Sequence, residues 1–134
     1  MPFQLYLTVA LGGALGTVFR FAVSGLVAAG FGETFPWGTL VVNATGCFII
    51  GFFATLTAPD GRLFVGGTVR QFVMTGVCGG FTTFSSFSLQ TLRLIEDGEY
   101  LYAGGNIVGS VTLCLIFVWL GSISAAMLNQ LKGI

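Results

Sequence analysis

Charged side chains fall at wide intervals along this chain and divide it into long apolar stretches. Arg20 stands alone, followed by Glu33, then Asp60, Arg62 and Arg70, then Arg93, Glu96, Asp97 and Glu99, and last Lys132. The apolar stretches run from Phe3 to Ala29, Trp37 to Leu56, Arg70 to Leu92 and Tyr100 to Leu131. A helix needs about 20 apolar residues to cross bilayer hydrocarbon. The pattern therefore predicts an all-α integral membrane protein with four transmembrane helices, in which residues 1–134 form one domain and both termini share a side. Pro36 before Trp37 suits a helix start with an interfacial aromatic anchor.

The third stretch departs from the pattern. Between Gly76 and Ser88 it reads Gly-Val-Cys-Gly-Gly-Phe-Thr-Thr-Phe-Ser-Ser-Phe-Ser. Hydrocarbon offers the backbone no water, so such a run survives at membrane depth only when it is buried in protein or lines a polar cavity. Gly79 and Gly80 each weaken a helix by about 1 kcal/mol relative to alanine. A break in the third span is expected here, and its freed carbonyls could hold a cation such as Na⁺.

Polar residues in the other spans recur at helical spacing. Thr39, Asn43 and Cys47 are four apart and share one face of the second span, and Asn106, Ser110 and Cys114 repeat the arrangement in the fourth. Two accounts of these stripes stand: hydrogen bonding between helices, or a track of donors for a permeating anion that also uses Thr82, Thr83, Ser85, Ser86 and Ser88. Arg20 has no acidic residue within any span to neutralise it. A charge in a span costs about 2.5–3.5 kcal/mol unless it reaches water or a partner, so Arg20 either snorkels to the interface or faces an aqueous vestibule. Phe84 and Phe87 are three apart on one face. Their rings either pack or turn positive edges toward an anion. Glycine pairs four apart, Gly12 with Gly16, Gly76 with Gly80 and Gly105 with Gly109, are read as close helix contacts.

Composition sharpens the class. Of 134 residues 54% are hydrophobic and 7% charged, against roughly 25% charged in soluble domains. The chain has no histidine, which excludes a Ser-His-Asp triad, a Cys-His pair and a histidine metal site. Its three cysteines, Cys47, Cys78 and Cys114, lie in three spans and are read as small buried residues, with no disulfide framework or zinc site. Formal charge is zero. Arg62, Arg70 and Lys132 on one side against Arg93 and Arg20 on the other give a weak positive-inside signal. Either one orientation is chosen by other details, or both occur, which would permit an antiparallel dimer. A proton-coupled exporter would need a protonatable group in a span, whereas every Asp and Glu lies at a segment end or in a loop.

The run Gly79-Gly80-Phe81-Thr82-Thr83-Phe84-Ser85-Ser86-Phe87-Ser88, with Trp37-Gly38-Thr39-Leu40-Val41-Val42-Asn43 and Gly12-Gly13-Ala14-Leu15-Gly16-Thr17-Val18-Phe19-Arg20, closely resembles the Fluc (CrcB) fluoride channels over essentially the whole chain. The resemblance implies an antiparallel, dual-topology homodimer in the bacterial inner membrane, with two pores that let fluoride leave the cell passively. With no credible nucleophile and base pair, no enzyme activity is expected, and no nucleic-acid partner. By the same likeness Phe84 and Phe87 are pore phenylalanines, Asn43 is a donor to fluoride, and Thr39, Ser85, Ser86, Ser110 and Asn106 continue the polar track. Arg20 would stand at a vestibule. The carbonyls of Gly79 and Thr82 from each subunit would hold one Na⁺. Asn106 and Cys114 depart from a tyrosine and a serine found in some relatives, and Ser86 from a frequent threonine.

Overall fold

The structure is a computed structural model that describes residues 2–131; Lys132 lies outside them. Its elements are α1 (Phe3–Phe31), α2 (Trp37–Leu56), α3 (Gly67–Gln71), a π-helical segment (Phe72–Cys78), α4 (Gly79–Phe81), α5 (Phe84–Glu96) and α6 (Tyr100–Gln130). Four helical stretches are long and apolar enough to cross a membrane: Phe3–Phe31, Trp37–Leu56, Gly67–Glu96 and Tyr100–Gln130. The protein is accordingly a multi-pass membrane protein. The first and third stretches run past the expected Ala29 and Leu92, because charge marks where hydrocarbon ends and caps mark where helices end. Gly32, at φ 84°, closes α1 by donating its N–H to Ala28 O at 2.8 Å, a left-handed position that suits glycine. At the far end of α2, Arg70 Nη1 reaches Ala54 O at 3.3 Å and the Thr57 hydroxyl.

Many large apolar side chains point outward, while the buried positions are mostly small or polar. Phe21 is 80% exposed and Leu101 92%, whereas Val42 and Asn106 are the largest fully buried side chains among the described residues. This inversion fits a lipid solvent, in which helices associate through close packing and hydrogen bonds rather than by hiding hydrocarbon.

Two packed seams build the bundle. On the first, α1 lies against the π-helical segment and α4. A Cβ on Gly12 would sit 2.6 Å from Phe72 O, one on Gly16 2.1 Å from Val77 O, and one on Gly80 2.5 Å from Gly13 O. Only glycine permits this approach. The third glycine pair differs from the expectation: Gly105 and Gly109 meet nothing within 4 Å in this chain, because α6 turns that face outward.

The second seam joins α2 and α6, which run parallel with a recurring offset of 67 residues. The Thr55 and Ser122 hydroxyls meet at 2.7 Å, and Arg62 N–H donates to Asn129 Oδ1 at 2.6 Å, both 67 apart in sequence. The same offset relates Phe35 to Tyr102, whose rings are edge to face at 5.9 Å, and Gly51 to Val118, whose carbonyl would stand 2.2 Å from a Cβ on that glycine. This register sets Thr39 level with Asn106, Asn43 with Ser110 and Cys47 with Cys114.

Candidate functional site

Between α4 and α5, Thr82 (φ −84°, ψ 159°) and Thr83 (φ −153°, ψ 116°) have extended backbone. Extended residues at membrane depth must find partners for their peptide groups. Asn43, from the middle of α2, supplies two: its Oδ1 accepts from Thr83 N at 2.7 Å and its Nδ2 donates to Thr83 O at 3.0 Å. The Thr83 hydroxyl then caps α5, accepting from Ser86 N at 3.1 Å, and lies 3.3 Å from Ser85 Oγ. An amide nitrogen carries two hydrogens, so Asn43 keeps one N–H beyond this clamp.

Arg20 completes the junction. Its Nε donates to Gly80 O at 3.0 Å, so the side chain crosses from α1 to α4 rather than lying along its own helix. On the other side, Thr82 N and Thr82 Oγ1 both donate to Cys78 O at 3.0 Å. Outside the helices' own ladders, no hydrogen bond among the described residues reaches Gly79 O or Thr82 O.

Two cavities meet at Thr83, which lines both. The larger, about 550 Å³, takes in Arg20, Thr39, Ser86, Gln90 and Arg93. The smaller, about 400 Å³, is lined by Asn43, Gly79, Thr82, Phe84, Phe87 and Ser110. The predicted residues are thus divided, with Arg20, Thr39 and Ser86 on one side of the Asn43–Thr83 clamp and the phenylalanines and Ser110 on the other. The Phe84 and Phe87 rings are 5.4 Å apart and tilted by 46°. Phe87 is buried at 9% exposure, while Phe84 is 77% exposed. Ser85 is exposed and lines neither cavity.

Asn106 is buried and also lines neither cavity. It sits inside a hydrogen-bonded chain whose direction is fixed at one end. Phe87 O can only accept, so Thr91 Oγ1 donates to it, at 2.7 Å. Thr91 therefore accepts from Asn106 Nδ2 at 2.9 Å, and Asn106 Oδ1 accepts from Ser110 Oγ at 3.0 Å. Ser110 faces the smaller cavity with its proton already committed to Asn106, leaving lone pairs on that side.

Sequence reasoning passed over three groups that matter here. In the sequence Thr83 is one of several hydroxyls, whereas its backbone is what Asn43 holds. Thr91 lies outside the glycine and hydroxyl run, although its spacing of four from Phe87 is that of a back-bond along α5. Gln90 Oε1 is buried without a hydrogen-bond partner. The cysteines also differ from the expectation. Cys47 and Cys114 are half-buried and only Cys78 is buried, and all three line the smaller cavity, because the register of α2 and α6 brings separated sequence positions level.

Residues 7–122 match the model of the family described as CrcB-like protein, Camphor Resistance (CrcB). The chain is 73% identical over 130 residues to the fluoride-specific ion channel FluC of Opitutus terrae, an alignment covering 97% of this chain and 98% of that one. It is 59% identical over 125 residues to the protein of the same name from Rhodospirillum rubrum, covering 93% and 97%. A third, from Methylocella silvestris, is 56% identical over 128 residues, covering 96% and 98%.

Proposed function

This chain belongs to the CrcB family, and from that premise we propose that it is a fluoride-selective channel that lets F⁻ leave the cytoplasm passively across the bacterial inner membrane. The observation that carries the reading is the smaller cavity, where two phenyl rings and the Asn43 amide converge beside extended backbone. Fluoride is compact and strongly hydrated. A selective path must replace that water with close donors, yet hold the ion weakly enough to release it. The spare Asn43 N–H and the positive edges of Phe84 and Phe87 supply donors without a fixed charge. Thr39 and Ser86 line the larger cavity on the other side of the clamp, where the Arg20 guanidinium attracts anions.

The working unit in this reading is an antiparallel homodimer of dual topology with two pores. Phe84, at 77% exposure, is then covered by the second copy, and so are Gly105 and Gly109 on the open face of α6. One Na⁺ at the dimer centre is held by Gly79 O and Thr82 O of each copy. These hard carbonyl oxygens suit Na⁺, and the lack of hydrogen bonds to them outside the helical ladders leaves lone pairs available. Such an ion would lower the cost of bringing an anion into low dielectric.

The test is anion efflux from liposomes holding the purified protein, followed with fluoride- and chloride-selective electrodes. Rapid fluoride release, little chloride release and no requirement for a pH gradient are expected. Equal passage of both ions would defeat selectivity.

A further inference from the structure

We propose that Cys47 and Cys114 form a two-thiol site for soft, linearly coordinated cations, the class of Hg(II), Ag(I) and Cu(I), and that filling it closes the smaller cavity. The α2–α6 register puts the two residues level, one turn from Gly51 at its contact with Val118 O. Both thiols open onto the same cavity from facing helices. Neither is in a disulfide, both are half-buried, and both line the cavity that holds Asn43, Phe84 and Phe87. The spacing is held from outside the pair, because backbone contact at Gly51 and the Thr55–Ser122 hydrogen bond stop the helices from spreading.

Thiolates select soft metals. Coordination number narrows the class further. Among the described residues no three Cys, Asp, Glu or His side chains gather closely enough to hold a metal ion, so Cys78 lines the cavity without joining the pair. Tetrahedral zinc is thereby disfavoured, since it takes four ligands. A two-coordinate ion asks only for two sulfurs facing one another. Mercuric chloride is neutral and reaches a site within a bilayer. Two Hg–Cl bonds break and two Hg–S bonds form, and two chloride ions and the two thiol protons leave to water, with no change in oxidation state. The product is a neutral S–Hg–S bridge one turn from Asn43 on α2 and one turn from Ser110 on α6.

Binding stands independently of the channel reading, whereas block of flux rests on it. The experiment treats full-length protein in liposomes with HgCl₂, washes briefly with glutathione, and measures intact mass, free thiols and fluoride efflux. Wild type should retain one mercury per chain, lose two of its three titratable thiols, and show efflux reduced about tenfold or more, restored by excess dithiothreitol. Cys47→Ser and Cys114→Ser should each retain no mercury after the wash and stay open. Cys78→Ser should behave as wild type. Equal block of Cys47→Ser, Cys114→Ser and wild type would overturn the site, as would three free thiols in treated wild type. Retained mercury in protein that never released fluoride would instead overturn the channel reading and uphold the site.

Discussion

At the scale of single residues, Asn43 does the work of a missing strand by satisfying both peptide groups of Thr83. Asn43→Ala should leave the part-buried N–H and C=O of Thr83 without their partner, at a cost of up to about 1–3 kcal/mol each, seen as a lower unfolding temperature in detergent together with lost fluoride efflux. Unchanged stability would mean that the clamp is idle. Phe84→Ile and Phe87→Ile should both cut efflux strongly, and Phe87→Ile, which replaces a ring buried within one chain, should also lower its unfolding temperature. Wild-type flux in both variants would remove the rings from the path. Thr91→Ser should preserve the bond to Phe87 O, whereas Thr91→Val frees Asn106 to turn over. A drop in stability for Val but not Ser is the expected melting result.

At the scale of elements, glycine carries the packing of α1. Gly16→Ala forces a methyl to within 2.1 Å of Val77 O. Overpacking of this kind costs about 1–3 kcal/mol, while Gly25→Ala, with nothing within 4 Å, should leave thermal unfolding unchanged or raise it. The four apolar stretches were legible because charge is so sparse that each charged cluster marks a boundary. The stripes of Thr39, Asn43 and Cys47 and of Asn106, Ser110 and Cys114 were equally legible as faces. What they faced was not. Spacing along one helix says nothing of the register between two, and that register depends on contacts such as Gly51 with Val118 and Thr55 with Ser122. Arg20 was hidden for a related reason: its partner is a backbone carbonyl, Gly80 O, which no side-chain pattern announces.

At the scale of the whole molecule, one copy leaves Phe84 and one face of α6 uncovered. With cysteines placed by Asp60→Cys and Glu99→Cys, one at a time, in a background otherwise lacking cysteine, a membrane-impermeant maleimide should label part of each population on intact cells and the rest after permeabilisation. Labelling from one side alone would defeat dual orientation. The chain of bonds from Ser110 through Asn106 and Thr91 to Phe87 O bears on a different property of the membrane. A proton hops along hydroxyls only when every member can take one hydrogen and pass on another, and this chain ends on a carbonyl that has none to pass. It is a blind alley for H⁺. The polar seam can therefore stand beside an anion route without becoming a leak that discharges the proton gradient on which the cell's energy depends.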